Sequence, residues 1–147
     1  MASLAERAVE VIPRIVRVMA RASRDGADEP LTLSQVRLLR RLAAGSRLVT
    51  HLAEDLAVAA PTVSATVDAL VRRGLVERQE TTEDRRTVPL ALTEAGRAAL
   101  AASLERQRRA LEAVFARMDD RGRAALAEAL EALDAALGSS CCGHDDG

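Results

Sequence analysis

Apolar positions keep a helical period at both ends of this chain and break into alternation between them. Residues 4–24 place Leu4, Ala8, Val11, Ile12, Ile15, Met19 and Ala22 on one helical stripe. Pro13 falls inside that stripe, so a kink or a late start is expected there. Residues 25–30, rich in Asp and Gly and ending in Pro, read as a loop. Thr32 followed by Gln35 fits a capping box. It opens a helix with Val36, Leu39, Leu42 and Ala43 inward, ended by Gly45. A short extended piece at residues 47–49 follows, and Thr50 is placed to cap a third helix carrying Leu52, Ala53 and Leu56. Residues 58–60 make a turn. Pro61 suits the first turn of a fourth helix, where its missing N–H costs nothing. That helix is expected to run to about Arg73, with Gly74 placed to end it.

Residues 75–78 and 87–92 then alternate like strands around a wholly polar stretch, 79–86, which predicts a two-stranded ribbon with a charged tip. Thr93 caps a long helix with Leu100, Leu104, Leu111, Val114, Phe115 and Met118 inward, broken at Asp119-Asp120. A last helix carries Leu126, Leu130, Leu133 and Leu137 and is expected to close at Gly138. The small, polar residues 139–147 are expected to be a disordered tail.

Composition sharpens this picture. The 147 residues favour a single domain. Thirty Ala against a single aromatic, Phe115, point to packed helices. All 21 basic residues are Arg, whose guanidinium fork pairs phosphate oxygens and base edges bidentately. Net charge is only −1, and residues 31–97 hold ten Arg against eight acids, a mild +2. No apolar run is long enough to span a membrane. The first ten residues are already charged and Pro13 follows, so no secretory signal is read. With both Cys in the last seven residues, a cytoplasmic protein without structural disulfides is expected.

The functional signal is a helix, a short turn and a second helix. Leu52, Ala53, Leu56, Val63, Val67 and Leu70 can pack the two helices together, leaving Thr62, Ser64, Ala65, Thr66 and Asp68 off the core. Small polar side chains on such a helix suit the major groove of double-stranded DNA. Hydroxyls there reach base edges or phosphates, and Ala meets a thymine methyl. The same geometry also occurs in proteins that bind no DNA. The ribbon favours the DNA reading, because Arg78, Arg85 and Arg86 cluster directly after the second helix and an Arg on a tip can enter the narrow minor groove. Asp84 fits beside them as a carboxylate that orients an Arg.

In their order and spacing, Leu31-Thr32-x-x-Gln35, Leu52-Ala53-x-x-Leu56, Thr62-Val63-Ser64-x-x-Val67-x-x-Leu70-x-x-x-Gly74-Leu75-Val76-x-Arg78, Asp84-Arg85-Arg86 and Leu92-Thr93-x-x-Gly96 resemble the MarR (multiple antibiotic resistance regulator) family of bacterial transcription factors. The resemblance covers roughly residues 5–137. It implies a fold that is mainly α with a small β-wing, in which residues 31–97 form a winged helix-turn-helix lobe within a single domain, 1–138. Residues 4–24 and 98–137 would be dimerisation helices. Surplus leucine stripes at both ends of a short chain point the same way, since a partner subunit would cover them. The implied DNA-contacting set is Pro61, Thr62, Ser64, Ala65, Thr66, Arg72, Arg73, Arg78, Asp84, Arg85 and Arg86. Within it Arg86 reaches the minor groove and Asp84 steadies the wing. The implied partners are a pseudo-palindromic operator, a second copy of the chain and a small-molecule effector that releases a repressor. No cofactor and no membrane partner are expected.

Two departures from the family pattern matter. Ala59 stands where a capping Ser or Thr is usual, so the fourth helix starts without a side-chain cap. The aromatics common around the family's effector pocket are absent, leaving Leu, Val, Met and Arg to line any pocket here.

Other classes have weaker support. Cys141, Cys142, His144, Asp145 and Asp146 suit a metal or an oxidant sensor, or are simply a reactive tail. His51, on the first helix of the motif, reads as a surface or phosphate-side residue. A helical interaction module without DNA binding is the remaining alternative. No enzyme is expected, because there is no glycine-rich phosphate loop, no His-x-x-x-His pair and no nucleophile elbow. Single-strand binding would need aromatics for stacking.

Overall fold

The computed structural model describes residues 1–79 and 88–141, with side chains through residue 138. A first compact unit spans Met1–Ala110, and a second begins at Leu111.

The first unit opens with α1, Leu4–Arg24. A capping box sets its start: the Glu6 N–H donates to Ser3 Oγ at 3.2 Å, and the Ser3 N–H donates to the Glu6 carboxylate at 2.6 Å. Pro13 lies inside the helix and does not delay its start. The expected Thr32–Gln35 box is present and opens α2, Leu33–Ala43. The third helix, α3, is Val49–Leu56, with Leu48 as its N-cap. Thr50 is therefore already helical and does not cap, because Leu48 holds the extended conformation that an N-cap requires. The fourth helix, α4, is Ala60–Arg72, one residue earlier at each end than the sequence pattern placed it.

Helices α2, α3 and α4 end in the same way. Bonds from Ser46 N–H to Arg41 C=O, Val58 N–H to Ala53 C=O and Leu75 N–H to Leu70 C=O close Schellman motifs, each turning through a left-handed residue. At Gly45 and Gly74 that conformation suits glycine, but at α3 the position is filled by Ala57, at φ 52°.

The ribbon is short. β1, Val76–Arg78, pairs antiparallel with β2, Leu90–Leu92, with Val76 opposite Leu92 and Arg78 opposite Leu90. A bond from Gln79 N–H to Pro89 C=O, 2.8 Å, extends it by one step, and the Leu90 N–H reaches Arg47 C=O at 2.7 Å. Val76, Leu90 and Leu92 join Leu31, Val36, Leu38, Leu39, Leu42, Leu52, Leu56, Val63, Val67, Leu70 and Leu100 in one buried core.

Thr93 then starts α5, Glu94–Phe115, and ties it back to the end of α4. Its hydroxyl donates to Gly74 C=O at 2.6 Å and accepts the Gly96 N–H at 3.0 Å, while its own N–H donates to Leu75 C=O at 3.1 Å. Gly96 packs so closely on Leu75 that an added Cβ would collide with the Leu75 carbonyl. Farther along, α5 meets α1 through a buried polar node. Gln107 Nε2 and Ser103 Oγ both donate to Ser23 Oγ, at 2.7 and 3.2 Å. Arg106 adds bonds to the carbonyls of Ala22 and Ser23, at the C-terminal end of α1.

The second unit holds the end of α5 and α6, Asp120–Cys141. Asp119 caps α6 by accepting the Gly122 N–H at 2.7 Å. Gly138 does not close that helix, which continues to Cys141. Nor are the apolar stripes all inward: Val114, Leu130, Leu133 and Leu137 are exposed. In α1, likewise, Leu4, Val11 and Ile12 face solvent within this single chain.

Candidate nucleic-acid interface

The helix-turn-helix is α3 and α4, joined by residues 57–59. Leu52, Leu56, Val63, Val67 and Leu70 are buried between them and α2. That packing fixes which way α4 faces. Pro61, Thr62, Ala65, Asp68 and Arg72 recur at helical spacing and are all exposed, forming one outward face. Ser64 and Thr66 flank it, half-buried. The Thr66 hydroxyl donates to Thr62 C=O at 3.0 Å, so its proton is already committed and only its lone pairs face outward.

Ala59 gives α4 no side-chain cap. Two features soften the loss. Pro61 has no N–H to satisfy, and the Thr62 N–H tightens onto Ala59 C=O at 3.0 Å.

Arg73 and Arg78 leave the helix in different directions. The Arg73 guanidinium donates to the carbonyls of Glu29 and Pro30, at 2.7 and 3.2 Å, and lies 3.7 Å from the Glu29 carboxylate. It clamps the loop before α2. Arg78, on β1, pairs with Asp68 of α4, so the ribbon is tied to the outward face of the helix beside it. Asp68 and Arg78 are ten residues apart with a turn between them, and no local spacing rule would have joined them.

The wing-tip residues Asp84, Arg85 and Arg86 lie outside the described residues, as do Cys142 and His144 of the tail. His51 is exposed on α3. Among the described residues, no group of three His, Cys, Asp or Glu side chains is gathered to hold a metal ion. No helix among them is long and apolar enough to cross a membrane.

A family model described as the MarR family matches residues 31–88, from the residue before the α2 cap to two residues before β2. Over these residues the chain is similar to the MarR family. Solved structures extend the likeness beyond the lobe. RV1404 from Mycobacterium tuberculosis is 26% identical, with a TM-score of 0.79 over 92% of this chain and 92% of that one. The transcriptional repressor CouR, bound to a 23-mer DNA duplex, is 28% identical, with a TM-score of 0.71 over 89% of this chain and 92% of that one. Wild-type MarR from E. coli, in its apo form, shares the fold at 20% identity, with a TM-score of 0.76 over 90% of this chain and 98% of that one. No curated protein sequence matches the chain. The MarR fold thus includes the helices on either side of the lobe as well as the winged helix-turn-helix itself.

Proposed function

We propose that this chain is a MarR-family regulator, a homodimeric, sequence-specific binder of double-stranded DNA that represses transcription and is released by a small-molecule effector. The observation that carries the reading is the outward face of α4. Pro61, Thr62 and Ala65 present small side chains at its start, where a helix entering the major groove meets base edges. Ser64 and Thr66 stand at the margins of that face, and Arg72 at its far end is placed for a phosphate. Arg78 braces Asp68, and with it the ribbon, against the helix. Arg73 acts as a positioning residue through the loop before α2. The sequence resemblance assigns Arg86 to the minor groove, with Asp84 and Arg85 beside it on the wing.

CouR, of comparable fold, is a repressor captured on a DNA duplex, which supports the same role here. Self-association is supported by the exposed apolar residues of α1 and, separately, of α6. An effector reading is supported by an open hollow of about 860 Å³ along α1, where Arg14, Arg17, Arg21 and Arg24 outnumber the single acid, Asp25, in the lining. Its guanidinium lining suits an anion.

Genome-wide mapping of bound sites followed by gel shifts on the strongest site tests the reading. Arg86→Ala is expected to lower affinity by roughly 1–3 kcal/mol. Unchanged affinity would remove Arg86 from the interface, and the absence of any mapped site would remove the DNA-binding role.

A further inference from the structure

The outer side of α2 carries a row of arginines to which neither the core nor the α4 face gives a role. Val36, Leu38, Leu39 and Leu42 point inward. Arg37, Arg40 and Arg41 stand on the other side and, with Ala44 and Leu56, line an open hollow of about 380 Å³. Among the described residues none of the three forms an ion pair. Arg37 is the fixed member: its guanidinium donates to Leu56 C=O at the end of α3, at 3.4 Å. Arg40 and Arg41 make no side-chain hydrogen bond among the described residues.

The row is continuous with the start of α4. A second, smaller hollow, about 50 Å³, is lined by Ser34, Arg37 and Leu38 of α2 and by Thr62, Val63 and Thr66 of α4. Arg37 thus borders both hollows. From Thr62, on the outward face of α4, the surface passes through Arg37 to Arg40 and Arg41 without crossing an acidic side chain that lines either hollow.

We infer that Arg37, Arg40 and Arg41 form a second contact to the DNA backbone, gripping the phosphate rail that borders the major groove on the side away from the ribbon. The inference rests on the DNA-binding reading above. Its physical basis is that unpaired guanidiniums on one helical turn cost self-repulsion, and a line of phosphates relieves it with bidentate, charge-assisted bonds. Such contacts position the protein and carry no base information. With the ribbon on one side of α4 and this row on the other, the recognition helix would be held between two backbone grips.

The test is the salt dependence of binding, which counts neutralised phosphates. Each phosphate contact contributes about 0.9 to the slope of log affinity against log salt. The full-length protein and its Arg40→Gln/Arg41→Gln variant would be titrated onto a duplex centred on the strongest mapped site, and onto the same duplex with its bases scrambled. Both side chains are exposed, and a thermal melt checks that the variant folds. The expected result is a slope shallower by about 3.6, from two contacts in each subunit of the dimer, with affinity lost on both duplexes. An unchanged slope in a folded variant would overturn the inference while leaving the DNA-binding reading intact. Failure of the unsubstituted protein to bind either duplex would instead overturn the reading beneath it. Ethylation interference with the unsubstituted protein needs no variant. Interfering phosphates confined to the read groove and the wing side would also contradict the second grip.

Discussion

Gly96 holds its place by size alone. The Leu75 carbonyl already accepts the Thr93 N–H, and the first turn of α5 presses against it where any Cβ would stand. Gly96→Ala must therefore separate α5 from the end of α4 or break that bond, and overpacking of this kind costs about 1–3 kcal/mol. A urea or thermal melt is expected to show that loss; a melt that matched the parent would mean the contact relaxes freely. Ala57 is the opposite case. It supplies the left-handed turn that Gly45 and Gly74 supply elsewhere, at a conformational cost of roughly 1–2 kcal/mol that glycine avoids. Ala57→Gly is expected to raise the melting temperature, reduced by the extra freedom glycine gives the unfolded chain. A lower melting temperature would show that the methyl group's packing outweighs the strain.

At the scale of elements, periodicity was legible wherever burial is strong and misleading where it is not. The α2 box, the helix ends at Gly45 and Gly74 and the Thr93 cap follow local rules that act over three to five residues, so the sequence carries them openly, and each ribbon strand shows in its own alternation. The start of α3 did not follow, because Thr50 has cap chemistry while Leu48 has the cap backbone. The end of α6 did not follow either, since Gly138 is tolerated within a helix at a modest cost. The candidate site divides in the same way. Thr62 and Ala65 were legible from their place between core positions. The tie between Asp68 and Arg78, and the diversion of Arg73 to the loop at residues 29–30, depend on how the chain returns on itself. Ionic contacts within one face are more local: Arg108 and Arg109 bracket Glu105 one turn away and hold its carboxyl at about 2.

For the whole molecule, Leu130, Leu133 and Leu137 of α6, which read as part of an inward stripe, instead face solvent in the isolated chain, with Leu133 and Leu137 exposed by 48% and 59%. That fits an assembly in which a second copy covers them. Leu133→Glu with Leu137→Glu is expected to convert a dimer to a monomer in sedimentation analysis without loss of helix by circular dichroism. A variant that stayed dimeric would place the subunit contact elsewhere. A dimer would set two α4 helices on half-sites roughly 34–36 Å apart, and a monomer would lose most of its affinity for a paired site.

The claim that the outward face of α4 reads DNA is tested most directly at Ala65, which is exposed and makes no core contact. Ala65→Glu places a carboxylate where a base edge would lie, between phosphates that repel it. Equilibrium affinity for the strongest mapped duplex would be measured for both proteins at one salt concentration. The folded, dimeric variant is expected to lose specific binding, because like-charge juxtaposition costs several kcal/mol. Affinity equal to that of the parent would contradict the claim.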